Sequence, residues 1–319
     1  MLKKLRRKIL LSLAAAGLLY LAFTIYADFD QVIKAFTEFN WLLFPVLLAL
    51  SFSNYIVRFL KWDYYLSVIK VEVGKIDSFS IFMSGLVMSV TPGKMGELLK
   101  SYLVKEVNQT PVSKTFPIIF AERITDFISL LFLALIGAYV YNYGRGVVIG
   151  VSVFFFVIVV IISNKSIALP MLKLFEKNSF LRKHLVSIHS AYESSYQLLR
   201  PIPLLKMSGL SLVSWFFECL GYYIILINFG IDVSLLWATF SYGFATIVGA
   251  VTMLPGGLGV TEGSLTFLLI GKGAPKEIAV ASTFIVRVVT LWFAVLVGII
   301  SVSLYQRRFG KANLESISN

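Results

Sequence analysis

Six apolar stretches, each close to the length of a bilayer crossing, constrain this chain more than any other feature. They cover 9–27, 41–60, 116–141, 147–164, 204–229 and 278–305. A helix rises about 1.5 Å per residue, so about 20 apolar residues cross about 30 Å of hydrocarbon. No single soluble core absorbs six such runs. Composition agrees: 58% of the residues are hydrophobic and 14% charged, against about 45–50% and about 25% in soluble domains. The expected fold is an all-α polytopic membrane protein. An ordinary cytosolic enzyme, a disordered regulator and a secreted disulfide scaffold are excluded. Cys219 is the single cysteine, so no internal disulfide forms. The two histidines, His184 and His189, are too few for a His-based metal site. No metal or cofactor is expected.

The net charge of +12 reads as cytoplasmic loops, not as nucleic-acid binding. Lys3, Lys4, Arg6, Arg7 and Lys8 place the N-terminus inside. The run 9–27 then reads as a retained span: its apolar part is too long for a signal peptide and lacks a small-residue cleavage site. The loop 28–40 carries Lys34 against Asp28, Asp30 and Glu38, and is placed outside. Arg58, Lys61, Lys70 and Lys75 put the next loop inside. Arg145 alone marks an outer turn, and the long loop 165–206, with seven cations against Glu176 and Glu193, is inside. Both termini are therefore expected in the cytoplasm of a multi-pass protein of the plasma (cell) membrane. Within the long loop, Leu185, Ile188, Tyr192, Tyr196 and Leu199 recur near helical spacing. They predict either an amphipathic helix on the inner membrane surface or a small packing helix.

Two further apolar stretches, 78–104 and 235–271, are interrupted. The first break reads Thr91-Pro92-Gly93-Lys94-Met95-Gly96-Glu97. The second reads Leu254-Pro255-Gly256-Gly257-Leu258-Gly259-Val260-Thr261-Glu262. Proline removes a donor and clashes inside a helix, and glycine loosens the backbone. Broken backbone at membrane depth is tolerated only under protein or beside a watery cavity. Each stretch is therefore predicted to be a re-entrant hairpin hinged at Pro92, Gly93 and Gly96, or at Pro255, Gly256, Gly257 and Gly259. The breaks match: Pro-Gly-x-apolar-Gly, then Glu, then an arginine about thirty residues on, Arg123 in one and Arg287 in the other. The loop charges start the first hairpin inside and the second outside. The result is about six full spans plus two broken-helix hairpins in inverted-topology repeats, a layout shared by many secondary transporters.

The chain then divides as one integral membrane unit, 1–319. Residues 1–40 hold the first span and outer loop, and 41–146 the first repeat. Residues 147–203 hold a linking span and the basic loop, 204–305 the second repeat, and 306–319 the tail.

Ionisable groups inside spans are costly and tend to be functional. Lys94, Arg123 and Arg287 suit an anion such as a lipid phosphate. Glu97 and Glu262 suit those cations, a cationic headgroup or a coupling proton. Lys100, Glu122 and Asp126 are supporting; Glu122 and Asp126 share a helix face. Asp126, Arg58 and Glu218 read more as structural ion pairs than as ligands. No Gly-rich phosphate loop is present, so no ATP-driven pump is visible, and no stretch suits a separate catalytic domain.

Three segments in order, Thr91 to Glu97, Glu122-Arg123-x-x-Asp126 and Leu254 to Glu262, resemble the membrane region of bacterial lysyl-phosphatidylglycerol synthases. The same region occurs as a stand-alone family of flippase-like membrane proteins. The resemblance implies movement of aminoacylated or other anionic lipid between leaflets. It does not carry lysyl transfer, which belongs to a cytoplasmic synthase domain that this sequence lacks.

The expected function is thus a lipid flippase or scramblase for a phospholipid or polyprenyl-type lipid, with membrane lipids as partners, no nucleic acid, and no catalytic residues. A lipid-modifying transferase, or the membrane subunit of a separate soluble one, is the alternative. A transporter of a small soluble molecule stands third. A homo-oligomer is compatible with all three.

Overall fold

The structure is a computed structural model that describes residues 17–91, 97–176 and 185–309. Pro92, Gly93, Lys94 and Gly96, the N-terminal basic run and most of the tail lie outside the described residues. Every regular element described is helical. Two short helices lead, α1 (Gly17–Tyr26) and α2 (Phe29–Glu38), the second capped by the Asp28 carboxylate on the Asp30 N–H. Then come α3 (Phe44–Val68), α4 (Lys75–Gly85, continued by a 3-10 turn Leu86–Val90), α5 (Leu98–Asn108) and α6 (Val112–Val140). Helices α7 (Arg145–Ser163), α8 (Lys165–Glu176) and α9 (Leu185–Leu198) connect to the second set. That set is α10 (Pro201–Asn228), α11 (Leu235–Val251), a 3-10 turn Pro255–Gly257, α12 (Val260–Gly271), α13 (Lys276–Arg287), a π turn Val288–Trp292, and α14 (Phe293–Phe309).

Four segments are long and apolar enough to cross a membrane: Trp41–Val68, Arg145–Ser163, Pro201–Asn228 and Lys276–Arg307. Helix α6, with 29 residues, has the length of a fifth. The expected span 9–27 is described only from Gly17. Helix α7 turns Phe154 and Phe156 outward, at 60% and 70% exposure. Such a surface is stable in lipid and not in water.

The two sets repeat one pattern: a long helix, a short helix, a break, a short helix, and a long helix. The short helices and the last long helix start at 75, 98 and 112 in the first set and at 235, 260 and 276 in the second. Their packing is reciprocal. Helix α11 lies against α6, and α4 with its 3-10 turn lies against α14. Glycine permits both approaches. A Cβ on Gly137 would come within 2.3 Å of Phe240 Cβ, and one on Gly298 within 2.1 Å of Val87 N.

The equivalent helices α3 and α10 pack side by side and run antiparallel. The Asn40 N–H just before α3 donates to Asn228 Oδ1 (3.1 Å) at the far end of α10. Further along, Leu47 faces Gly221, Asn54 Nδ2 donates to Ser214 O (2.7 Å), and Lys61 Nζ to Ser211 Oγ (2.5 Å). Equivalent helices that run in opposite directions are related by an axis across them, which is the geometry of an inverted repeat.

The hairpins enter from opposite ends. At one end Asn108 Nδ2 donates to Glu72 O (2.9 Å) and Lys114 Nζ to Lys70 O (3.4 Å), so the α5–α6 turn sits beside the α3–α4 turn. At the other, Tyr141 and Ser234 share a hydroxyl contact of 3.1 Å. The tips meet in the interior. The site of a Gly256 Cβ lies 3.6 Å from Ser89 O, and Val90, Leu258, Leu291 and Trp292 form one small apolar cluster. Gly256 has φ +60, Gly257 φ +67 and Gly259 φ +87, which side-chain-bearing residues rarely adopt. The Pro-Gly-Gly-x-Gly spelling is the local cause of the second break.

One expectation changes, and one pair of alternatives is decided. Arg58 and Lys61 are not loop residues, because α3 runs on to Val68 and carries both into the bundle. The aromatic run Trp62, Tyr64 and Tyr65 extends the helix beyond the purely apolar stretch, with Trp62 and Tyr65 fully buried. Helix α9 is a packing helix and not a surface one. It lies on α6 and α7, with Ser194 and Leu198 buried.

Candidate functional site

At the first break, three helices, α3, α5 and α6, bring seven charges together, and α10 adds Ser211. Asp126 on α6 is the hub. Its Oδ1 accepts from Lys61 Nζ at 2.7 Å and from Ser211 Oγ at 2.9 Å. Its Oδ2 faces Arg123 at 3.4 Å and Arg58 at 3.6 Å. One turn back, Glu122 takes Lys100 Nζ of α5 at 2.6 Å. Lys100 also sits 4.6 Å above the Trp62 ring, a favourable place for a desolvated ammonium. Glu97 begins α5, where the exposed N–H groups favour a carboxylate. It binds Arg123 at 3.2 Å and lies 3.9 Å from Lys100.

Within direct contact, four cations (Arg58, Lys61, Lys100, Arg123) therefore share three carboxylates (Glu97, Glu122, Asp126). Glu218 acts on Arg58 from further off and most weakly of the surrounding carboxylates. It is itself engaged by the Tyr242 hydroxyl at 2.7 Å. The network is graded in depth: the Lys61 side chain is 2% exposed and that of Arg123 20%. Arg123 Nε has no hydrogen-bond partner among the described residues. Arg123, paired with Glu97 and Asp126 but partly exposed at the edge of the cluster, has the chemistry suited to an anion, while its partnerless Nε is buried.

The second break is built differently. Glu262 uses one carboxylate oxygen to take the N–H of Gly259 (2.8 Å), capping α12, and the other to take Arg287 Nε (2.7 Å). Arg287 also donates to Gly256 O. The result is one neutral pair clasped onto the glycine backbone. Helix α1 covers it: Tyr20 OH donates to Glu262 Oε1 (3.5 Å) and accepts from Trp292 Nε1 (3.0 Å). Arg287 ends α13 just before the π turn, and Tyr55 OH takes up the Thr290 carbonyl in that turn at 2.8 Å.

Sequence reasoning thus named Glu97, Lys100, Glu122, Arg123 and Asp126, which the fold brings together, and Glu262 with Arg287, which it pairs apart from them. Lys94 lies outside the described residues. Reasoning from sequence missed Lys61, Ser211 and Tyr20, and it set Arg58 aside. Of the three alternatives for Glu97 and Glu262 (pairing the nearby cations, a cationic headgroup or a coupling proton), the geometry shows ion pairs with Arg123 and Arg287. Among the described residues no cluster of three or more His, Cys, Asp or Glu is arranged to hold a metal ion.

This architecture defines a polytopic, membrane-embedded protein built around two matched helix breaks. A family model described as the lysylphosphatidylglycerol synthase TM region matches residues 9–298, and the chain belongs to that family. Among its relatives, a UPF0104 membrane protein of Methanothermobacter thermautotrophicus is 24% identical over 268 residues, which is 76% of this chain and 79% of the relative. A UPF0104 membrane protein of Methanocaldococcus jannaschii is 26% identical over 234 residues, 70% of this chain and 95% of the relative. One of Pyrococcus horikoshii is 22% identical over 301 residues, 86% and 90% respectively.

Proposed function

We propose that the protein translocates a lipid, passing an anionic or aminoacylated headgroup between leaflets of the plasma membrane while the acyl chains stay in hydrocarbon. The observation that carries this reading is the buried ion network at the first break, where four cations share three carboxylates. Arg123, at the partly exposed edge, is the phosphate contact, with Lys94 as a second cation from the break itself. Glu97 competes with the phosphate for Arg123, so the headgroup is exchanged and not trapped. Glu262 and Arg287 hold the second tip in place and contact the headgroup only as it passes. Antiparallel equivalent halves support alternating exposure of one site to the two faces. Both termini lie in the cytoplasm in this reading, since the basic turns gather at one end.

The test is reconstitution into liposomes with fluorescent phospholipid, scored by dithionite accessibility. Wild-type protein is expected to speed equilibration between leaflets. Arg123→Ala and Glu97→Gln are expected to lose at least about tenfold of that rate, the worth of one charge-assisted contact, while keeping a cooperative thermal transition. Normal rates in both variants would overturn the site. A changed lipid composition in cells, with unchanged leaflet distribution, would favour the transferase alternative.

A further inference from the structure

Away from the buried network, a cavity of about 870 Å³ opens where the ends of α3, α6 and α10 converge. Three cations line it: Lys70 at the end of α3, Lys114 in the first turn of α6, and Arg200 just before α10. None has a carboxylate within ion-pair distance among the described residues, and no acidic residue lines the cavity. Lys114 Nζ spends one donor on Lys70 O at 3.4 Å, and Arg200 lies 5.1 Å over the Tyr196 ring.

A neighbouring cavity of about 620 Å³ on the other side of Lys70 is the contrast. It contains Asp63 and Glu72 beside Lys75, and Lys75 pairs with Asp63. Basic charge is therefore balanced on one side of Lys70 and unbalanced on the other. Two helices, α6 and α10, begin at the larger cavity and two, α3 and α9, end there, so the pull on an anion comes from the three side-chain cations.

Apart from Tyr64 and Gln197, the remaining wall is apolar: Val68, Ile69, Pro201, Ile202 and Pro203. Ile202 is 66% exposed and Leu205, one turn on, 73%, so the cavity runs out onto a lipid-facing surface. Free phosphate or a nucleotide has no use for that wall; a phosphodiester carrying acyl chains uses both parts.

We propose that this groove docks the headgroup phosphate of an anionic phospholipid, in the leaflet at the end where the basic loops gather. The groove stands directly above the buried network. Val68, Lys114 and Pro203 are seven or eight residues from Lys61, Glu122 and Ser211 on the same three helices. At 1.5 Å per residue the network lies about 10–12 Å deeper along all three walls. Feeding that network rests on the translocation reading; docking does not.

Docking is tested on the purified full chain in detergent with phosphatidylglycerol bearing a fluorescent acyl chain. Unlabelled phosphatidylglycerol is expected to displace the probe, while phosphatidylcholine and millimolar inorganic phosphate do not. A triple variant, Lys70→Asn, Lys114→Gln and Arg200→Gln, is expected to weaken binding at least about tenfold. Asn is chosen because Lys70 has φ +53. Removing Lys34, Lys272 and Lys276 in the same way, at the opposite end, is expected to leave binding within about twofold. A benzophenone residue at 202 in otherwise unaltered protein is expected to capture phosphatidylglycerol, which keeps the test open if the triple variant fails to fold. Equal loss in both triple variants, displacement by phosphate alone, or no capture at 202 would overturn docking. Intact docking with no movement between leaflets would overturn translocation and leave the groove.

Discussion

The two breaks share a spelling and differ in how they hold their charges. At the second, one carboxylate and one guanidinium close on each other and on the backbone of Gly256 and Gly259. Nothing is left over, and α1 lies on top. At the first, seven charged groups from α3, α5 and α6, with Ser211 of α10, share contacts at 2.5 to 3.9 Å, and one guanidinium reaches the edge. A closed neutral pair braces a hairpin tip. An open network in which four cations share three carboxylates braces the helices and, on the proposed reading, offers a place for an anion. Inverted repeats begin alike, and the contrast shows that each half can spend the same motif on a different task.

The sharpest way to break this comparison is Asp126→Ala. It strips the shared carboxylate from Lys61, Arg58 and Arg123 at once. Removing one side of a buried ion pair costs about 3–5 kcal/mol. The expected outcome is a large fall in the thermal transition in detergent, or failure to recover folded protein. Lys61→Met with Asp126→Asn, which removes the buried pair together, is expected to restore much of the loss. An unchanged transition in Asp126→Ala would show that the network does not hold α3, α6 and α10 together.

Glu262→Ala is next, at about 3 kcal/mol, the low end of the same range, because Arg287 keeps the Gly256 carbonyl. Glu262→Gln separates the two jobs of that side chain. Its amide oxygen still caps Gly259, so it is expected to cost about 1–2 kcal/mol less than Ala. Equal losses by calorimetry would mean that the cap contributes nothing.

Gly298→Ala probes the reciprocal packing itself. The added methyl meets Val87 N at 2.1 Å, which is backbone and cannot rotate away. Overpacking of this kind costs about 1–3 kcal/mol. A matched loss in Gly137→Ala, where Phe240 is the obstacle, would show that the two contacts are equivalent. A neutral Gly298→Ala would argue that the first hairpin sits less tightly than the second.

Legibility in the sequence depends on the range of the interaction that sets each feature. The breaks were legible because Pro255, Gly256 and Gly259 act through local backbone geometry, which a sequence states directly. The pairing of each glutamate with its arginine was legible as one alternative because each break carries a glutamate followed by an arginine 26 or 25 residues on. Lys61 was not. It lies three residues after Arg58 at the end of an apolar run, where positive charge ordinarily marks a loop, and α3 continues past it through Trp62, Tyr64 and Tyr65. Its partners, Asp126 and Ser211, stand 65 and 150 positions away, and only the antiparallel packing of α3 on α10 selects them. Tyr20 was invisible for the same reason: its bond to Glu262 spans 242 positions. The larger basic groove escaped too, because Lys70 and Arg200 counted as charges of separate loops and Lys114 was in none of the loops counted.

The smallest expected effect bears most directly on the cover that α1 lays over the second break. Tyr20→Phe keeps the ring, which packs 4.5 Å from that of Phe284, and removes only the hydroxyl between Glu262 and Trp292. The Trp292 indole N–H then loses its acceptor in a partly buried place, at a cost of about 1 kcal/mol. In a chain of this size that lowers the transition by about 2–4 °C. If the second break is a brace, lipid movement in liposomes is unchanged within about twofold, since Glu262 still holds Arg287 and Gly259. If instead the second break is a headgroup site that α1 keeps shut, loosening the hydroxyl bridge speeds movement well beyond that. A faster variant would put the two breaks on the same footing. An unchanged rate beside a small loss of stability leaves the first break as the working one, with the second as the fixed wall against which it moves.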